Sequence, residues 1–249
     1  MTARLLDAGD GAVTIEFGDR IEAPLVARVR ALEQALQAAI DRGQLPGVIE
    51  TMPTFRSLTV LYDPLLTSRA ALDPALQALL PKADQPPVAS GRRWRLPVCY
   101  GDAAGDAGAD LADVAAATGL GADEVVRRHA AAEVGVHMIG FMPGFPFMGD
   151  LPPELSVPRR AEPRVRVPAG AVAITGRLTA IYPWQSPGGW RLIGRCPVPL
   201  FDAAAASPSL LAPGDTVRFE AVSAARLAEL DAAIRAGDLP PATWLESAA

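Results

Sequence analysis

The sequence contains few of the residues that build disulfide-rich and metal-dependent proteins. Its cysteines are Cys99 and Cys196, and its histidines are His129 and His137. Two cysteines in a chain of 249 residues do not make a disulfide framework. These four residues also show none of the spacings typical of zinc sites. We therefore expect no metal site in this chain.

Long apolar runs and excess positive charge are also lacking. No stretch approaches the roughly 18 consecutive apolar residues of a membrane span. The first dozen residues carry Asp7 and Asp10 and no apolar run, so no signal peptide is predicted. A net charge of −5 and a pI near 5.1 argue against nucleic-acid binding. We expect a cytoplasmic protein that binds neither nucleic acid nor membranes.

Two common catalytic motifs are absent. Without GxxxxGK[ST] the chain has no Walker-type phosphate loop, and without GxSxG it has no nucleophile elbow. Any contacts to nucleotide phosphates must therefore come from other kinds of site or from a partner.

Proline and glycine are instead concentrated in one stretch, residues 139–202. Residues 141–200 hold 11 of the 24 prolines and 7 of the 22 glycines, a density that excludes a long helix. Seven arginines and three acidic residues give these 60 residues a charge of +4, against −9 for the rest of the chain. We expect short strands and tight turns with a basic surface that suits an anionic ligand.

The N-terminal third predicts a small α+β unit of the split βαβ, ferredoxin-like kind. Strands are predicted at 12–17, 48–51 and 57–62, and a helix at 21–40 where apolar residues recur every three or four positions. A second helix is expected between Ser68 and Leu80, with Pro74 delaying its start so that Asp73 caps it. Pro81 to Arg92 has the composition of a linker. We predict an N-terminal domain at 1–82, a linker at 83–92 and a second domain at 93–249.

The second domain also has readable elements outside its proline-rich stretch. Strands are predicted at 95–99, 134–139 and 217–222, and helices at 111–118 and 122–131. A last helix follows Ser223, which is expected to cap it. Asp110 is expected to cap the helix at 111–118.

Arginines on a stiff segment are the first candidate for binding. In PRRAEPRVRVP, prolines every five residues hold the chain extended, and Arg159, Arg160, Arg164 and Arg166 project from it. Guanidinium groups placed in this way suit carboxylate or phosphate. The alternative is that Glu162 and neighbouring acids pair with them at the surface.

Three other features have both a functional and a structural interpretation. Gly188-Gly189 offers positive φ for an anion-binding turn, or forms a hairpin turn with Trp190 in the core. The apolar segment FMPGFPF (141–147) is a pocket wall or a partner surface, or it fills the core. His129 ends a helix and either stabilises that end or transfers protons.

Four ordered motifs, GFMPGFPFMGDL, PRRAEPRVRVPAGAV, TAIYPWQSPGGW and IGRCPVPLFD, resemble the family of 5-oxoprolinase B subunits, also called allophanate hydrolase subunit 1 or KipI-like. The resemblance implies an N-terminal α/β domain and a C-terminal cyclophilin-like β-barrel. It also implies a cytoplasmic hetero-oligomer with the C subunit of the same system and a third subunit. That assembly opens 5-oxoproline, a lactam, to glutamate.

The resemblance implies ATP as the cofactor, shared with or supplied through the partner, and a chain that is inactive alone. It leaves two other functions open. One is a KipI-like inhibitor that binds a histidine kinase. The other is a component of a urea or allophanate carboxyltransferase or hydrolase system, which would act on a different amide.

The resemblance carries over one catalytic candidate, His129. It implies that the substrate-binding residues are Phe141, Pro143, Gly144, Arg159, Arg160, Arg164, Tyr182, Gly188, Gly189 and Trp190. The sequence departs from the family pattern at His137, Leu178, Ala180 and Cys196, where Tyr, Gln, Gly and Thr are usual. These departures bear on the ligand and not on the family.

Overall fold

The structure is a computed structural model that describes residues 3–85, 91–101 and 108–246. The chain divides into two compact units, residues 1–90 and 91–249. In the part of the chain described, no helix is both long and apolar enough to cross a membrane.

The first unit is a four-stranded antiparallel sheet with two helices. Its strands are β1 (Arg4–Asp7), β2 (Ala12–Glu16), β3 (Val48–Pro53) and β4 (Ser57–Tyr62), and its helices are α1 (Ala23–Asp41) and α2 (Arg69–Leu79). The strand order β1-β2-β4-β3 makes β2 and β3 parallel on either side of β4, which is a split βαβ arrangement around α1. Alternate residues of β2 and β4 are buried against the helices because strand side chains alternate between faces.

The start of α2 differs from the prediction. The Ser68 hydroxyl accepts a hydrogen bond from the Ala71 backbone N–H at 3.3 Å, so the helix begins at Arg69 and Pro74 lies inside it. Asp73 does not cap the helix; it pairs with Arg69 one turn away. The helix therefore begins at the Ser68 cap and includes Pro74 in its interior.

The predicted linker is partly ordered. A 3₁₀ helix spans Leu80–Asp84, and Ala83 is buried in the core of the first unit. Residues 86–90 of the predicted linker lie outside the described residues.

The second unit contains a closed seven-stranded barrel, which confirms the expected α+β class. Its strands are β5 (Arg93–Tyr100), β6 (Glu133–Ile139), β7 (Pro146–Gly149), β9 (Ala171–Thr175), β10 (Leu178–Ile181), β12 (Arg191–Arg195) and β13 (Thr216–Ala221). They run in the order β10-β7-β6-β13-β5-β12-β9, with β13 parallel to β5 and the other pairs antiparallel. Closure leaves no free edge in the barrel.

A separate antiparallel ribbon and three helices surround the barrel. The ribbon pairs β8 (Arg164–Val167) with β11 (Ser186–Gly188), and the helices are α3 (Leu111–Thr118), α4 (Ala122–Ala131) and α5 (Ala224–Ala236). As predicted, Ser223 caps α5. The barrel has its own apolar core, and a second buried cluster links it to the ribbon through Phe145, Val167, Tyr182, Trp190 and Leu192.

Candidate functional site

A pocket of about 330 Å³ lies where the ribbon meets the loop before β7. Its walls are mainly aromatic: Phe141, Phe145, Phe147, Tyr182 and Trp190. The remaining lining residues are Arg159, Pro163, Pro187, Gly188 and Gly189. The fold therefore brings six of the predicted site residues to one pocket.

Phe145 is the centre of the aromatic wall. Its buried ring makes edge-on contacts with Phe141, Phe147, Tyr182 and Trp190 at centroid distances of 4.9–5.9 Å. Such packing fixes ring positions, because each ring edge meets the face of another. The FMPGFPF segment therefore both fills the core and forms the pocket wall.

Arg159 is the cation at this pocket. Its guanidinium lies 6.0 Å from the centroid of the Trp190 ring, at the limit of a cation–π contact. Within the described ranges, no carboxylate lies within salt-bridge distance of it, and its side chain is exposed at the pocket. It can therefore pair with a negatively charged ligand.

Arg160 and Arg164 are not pocket residues. Both pair with Asp110, which is 1% exposed: Arg160 Nη1 donates to Oδ1 at 2.9 Å, and Arg164 donates to both oxygens at 2.7 and 2.8 Å. The Leu192 backbone N–H donates to Oδ2 at 2.7 Å. We expected these two side chains either to bind a ligand directly or to pair with the Glu162 carboxylate. The structure shows neither arrangement, because both donate to the buried Asp110 carboxylate.

Asp110 is the main residue that sequence reasoning missed. Burial alone would raise the pKa of its carboxyl, but the Arg164 and Leu192 hydrogen bonds and the Arg160 charge hold that pKa below its usual value. Asp110 precedes α3 as predicted, yet its side chain makes no capping hydrogen bond. The local sequence indicated only a helix cap. The arginines that bind Asp110 lie about 50 residues away in the sequence.

The expected anion-binding turn at Gly188-Gly189 does not form. Neither glycine has a positive φ; Gly188 pairs with Arg164 in the ribbon, and the Gly189 carbonyl accepts from the Arg160 N–H at 2.8 Å. Gly188 is required for a different reason. A Cβ there would lie 2.4 Å from the Tyr182 hydroxyl oxygen, so only glycine allows this close approach.

Tyr182 supplies a hydroxyl at the pocket. Burial raises the pKa of this phenol, although the charges of Arg159 and Arg164 and the Trp190 backbone N–H act in the opposite direction. The phenol is therefore protonated at neutral pH and can donate a hydrogen bond to a ligand.

Phe141 is the exposed end of the aromatic wall. Its side chain is 66% exposed and its φ is +67°, an unfavourable backbone for a bulky residue. Pro143 and Gly144 follow it but do not line the pocket. Gly144 has φ +77°, and a Cβ there would lie 2.7 Å from the Phe201 Cβ, so its role is in the turn.

His129, near the end of α4, is fully buried against strands of the barrel and does not line the pocket. The Tyr100 hydroxyl contacts Nδ1 at 2.7 Å and the Thr179 hydroxyl contacts Nε2 at 2.9 Å, while the ring stacks on Phe219. Because Thr179 donates its proton to the Ala173 carbonyl, Nε2 carries the histidine proton. Burial lowers the pKa of His129 to about 3. With both nitrogens paired and no contact to the pocket, its geometry favours a structural role over the expected proton transfer.

The four departures from the family pattern lie in or beside the barrel. Ala180 is buried in the cluster that supports the pocket, and Leu178 packs against it. His137 is nearly buried beside Gly149, where a Cβ would come within 2.6 Å of its Nε2. Burial raises the pKa of Cys196 to about 12, so this thiol is not a reactive nucleophile.

A larger cavity, of about 470 Å³, lies elsewhere in the second unit and is mostly apolar. Its cation, Arg92, is held by buried Asp215 at 2.8 Å and by the Leu210 carbonyl at 2.8 Å, above the Trp94 ring. Among the described residues, no group of three His, Cys, Asp or Glu side chains forms a possible metal site in either place.

Comparison with known proteins identifies the family of this chain. Residues 3–211 match the family "Carboxyltransferase domain, subdomain C and D". The chain belongs to this family. It is 41% identical over 218 residues to the B subunit of 5-oxoprolinase from Escherichia coli O157:H7, covering 87% of this chain and 95% of that one. The B subunit of 5-oxoprolinase from Bacillus subtilis (strain 168) is 36% identical to this chain over 225 residues, which are 86% of this chain and 91% of that one.

Two solved structures share this fold. TTHA0988 superposes with a TM-score of 0.73 at 37% identity, over 85% of this chain. This chain spans 40% of that longer protein. The urea amidolyase of K. lactis has a TM-score of 0.74 at 20% identity over 98% of this chain and 16% of its own, a likeness of fold alone.

Proposed function

We propose that this family member is one subunit of an ATP-dependent 5-oxoprolinase that converts 5-oxoproline to glutamate. Two relatives that cover most of the chain carry the name of the 5-oxoprolinase B subunit. The single observation that carries the proposal is the aromatic pocket with Arg159 as its exposed cation.

The chemistry of 5-oxoproline matches this pocket. Its carboxylate would pair with the Arg159 guanidinium, a charge-assisted interaction favoured beside apolar walls. Its small ring would lie against Trp190 and Phe145, and its lactam oxygen can accept a hydrogen bond from Tyr182. Charge that develops on this oxygen as the ring opens would be stabilised by the same hydroxyl.

ATP and a partner complete the proposal. In the overall reaction ATP and water are consumed, and glutamate, ADP and phosphate are formed. The chain lacks a Walker-type loop, and its pocket offers one exposed guanidinium, so the nucleotide phosphates would be bound largely by the C subunit. Phe141 and Val165, which is 89% exposed, offer apolar contacts beside the pocket for such a partner.

The test is an assay of the assembled enzyme. The chain would be co-purified with both partner subunits, and 5-oxoproline-dependent ATP hydrolysis and glutamate formation would be measured. We expect activity in the complex, none in the chain alone, and a loss of at least about tenfold in kcat/KM in the Arg159→Gln variant. Arg166→Gln is the matched control, because this exposed arginine of β8 does not line the pocket. No turnover in the complete complex would contradict the proposal.

A second candidate, a KipI-like inhibitor of a histidine kinase, is favoured by the exposed side chain of Phe141. An aromatic residue held outward in a strained backbone is typical of an interface anchor. Capture of a kinase by the wild-type chain but not by a Phe141→Ser variant, without 5-oxoproline turnover in the complex, would favour this function. Turnover of urea or allophanate in place of 5-oxoproline would favour the carboxyltransferase alternative.

A further inference from the structure

The three arginines that precede or begin β8 do not point to the same place. Arg159 lines the aromatic pocket, whereas Arg160 and Arg164 do not line it and donate to Asp110; Arg160 Nε also donates to the Glu162 carbonyl at 3.3 Å. The sequence would allow all three guanidinium groups to surround one ligand. In the folded chain only Arg159 of the three lines the pocket.

Asp110 is well suited to hold these arginines. It accepts four hydrogen bonds, from Arg160, from both terminal nitrogens of Arg164 and from the Leu192 backbone, and it is buried. Its contacts join the start of α3, strand β12 and the ribbon. Removing this carboxylate would leave the buried Leu192 N–H without a partner and would free the partly exposed side chains of Arg160 and Arg164.

The charge balance of this group has a direct effect on the pocket. Asp110, Arg160 and Arg164 together keep one positive charge, which attracts anions from a distance. Both terminal nitrogens of Arg164 and one of Arg160, however, donate to Asp110 within the group. At the pocket itself a ligand meets the Arg159 guanidinium and the faces of aromatic rings, and those faces repel anions. A second negative charge on the ligand would remain unpaired against apolar walls.

We propose that Asp110 is a positioning residue that determines specificity: by binding Arg160 and Arg164, which do not line the pocket, it restricts the pocket to ligands with one carboxylate. This inference rests on the proposed function for the identity of the substrate, 5-oxoproline. It further implies that pyrophosphate-like groups are excluded and that glutamate, which has a second carboxylate, binds more weakly than the lactam.

The experiment measures binding of three probes to the full chain by calorimetry: 5-oxoproline, cyclopentanecarboxylate and inorganic pyrophosphate. The variant is Asp110→Asn, and the control is Asp113→Asn, which removes an exposed acid on the same helix that pairs with Arg191. We expect the wild type and the control to bind both monocarboxylates at least about tenfold more tightly than pyrophosphate. In Asp110→Asn we expect pyrophosphate affinity to rise at least about tenfold, because two arginines regain free donors.

Three results would overturn the inference. The first is pyrophosphate binding to the wild type as tight as that of either monocarboxylate, and the second is an unchanged preference in folded Asp110→Asn. The third is a wild type that binds neither monocarboxylate. If cyclopentanecarboxylate binds and 5-oxoproline does not, the proposed function fails while the role of Asp110 stands.

A second set of variants decides the matter if Asp110→Asn does not fold, as judged by circular dichroism. Arg159→Gln should weaken cyclopentanecarboxylate binding by about tenfold or more. Arg160→Gln and Arg164→Gln should each have a clearly smaller effect and should gain no pyrophosphate binding. Equal losses in all three variants would show that the three arginines contact the ligand together, and would contradict the inference.

Discussion

Two cavities of the second unit are built in similar ways but differ in what their arginines do. Each lies near a tryptophan and a buried aspartate that holds arginine. Beside the larger cavity, Asp215 binds Arg92. Beside the smaller one, Asp110 binds two arginines, and Arg159 still lacks a carboxylate partner among the described residues. The comparison teaches that an exposed charge available to a ligand, and not cavity volume, distinguishes the candidate site.

The largest change in stability is expected when the aspartate beside the larger cavity is removed. Asp215 accepts from the Arg92 backbone and side chain, from Trp94 Nε1 at 2.8 Å and from the Ala212 N–H at 3.0 Å. Asp215→Ala should lower the free energy of unfolding by about 3–5 kcal/mol, because buried donors lose their partner. Chemical denaturation checks this, with Asp202→Ala, an exposed acid of the same cavity, as control.

The same variant separates stability from binding. At a temperature where Asp215→Ala remains folded, 5-oxoproline affinity should equal that of the wild type. A binding defect in the folded variant would mean that the two cavities are not independent.

A smaller effect is expected at the two glycines of the aromatic pocket. Gly188→Ala should cost about 1–3 kcal/mol of stability and displace Tyr182, since the new methyl group would lie 2.4 Å from its hydroxyl. Gly189→Ala is the matched control, because its Cβ would meet Pro163 at an ordinary 3.7 Å. Denaturation and 5-oxoproline titration of both variants test this difference. Equal behaviour would show that the Tyr182 contact does not shape the pocket.

The third prediction concerns His129, which is buried against the barrel outside the pocket. Since the pKa of His129 is lowered to about 3, the folded state leaves this ring neutral where the unfolded chain, with a histidine pKa near 6.5, is protonated. The unfolded state binds the extra proton between these values, so stability is full above about pH 6.5. It falls by about 1.4 kcal/mol per pH unit as the pH drops toward 3.

In His129→Gln, the slope of the unfolding free energy against pH should be smaller by about 1.4 kcal/mol per pH unit, which corresponds to one proton. The pH profile of 5-oxoproline turnover in the complex should keep its shape. Loss of one limb of that profile in the folded variant would support the proton-transfer role for His129.

Much of the fold was predictable because it depends on local patterns. Alternating apolar residues predicted β4, the three-and-four spacing predicted α1, and Ser223 predicted the start of α5. The short β1 was missed because its four residues are mostly exposed and show no alternation. The helix start at Arg69 was misjudged because the cost of Pro74 was weighed without the cap that Ser68 provides.

The site was predictable in composition but not in arrangement. Proline spacing indicated an extended, arginine-bearing segment, and aromatic residues around Gly188 and Phe141 indicated a pocket. Which arginine faces a ligand depends on Asp110, whose contacts are long-range in sequence. Likewise, the burial of His129 depends on the packing of α4 against barrel strands that are distant in sequence, through Tyr100, Thr179 and Phe219.

The most direct measurement compares the two arginines that distinguish the cavities. Calorimetric titration of 5-oxoproline into the wild type, Arg159→Gln and Arg92→Gln should show an affinity loss of at least about tenfold for Arg159→Gln. For folded Arg92→Gln it should show a change of less than about twofold. Equal binding by wild type and Arg159→Gln, or loss of binding in folded Arg92→Gln, would contradict the assignment of the site to the smaller pocket.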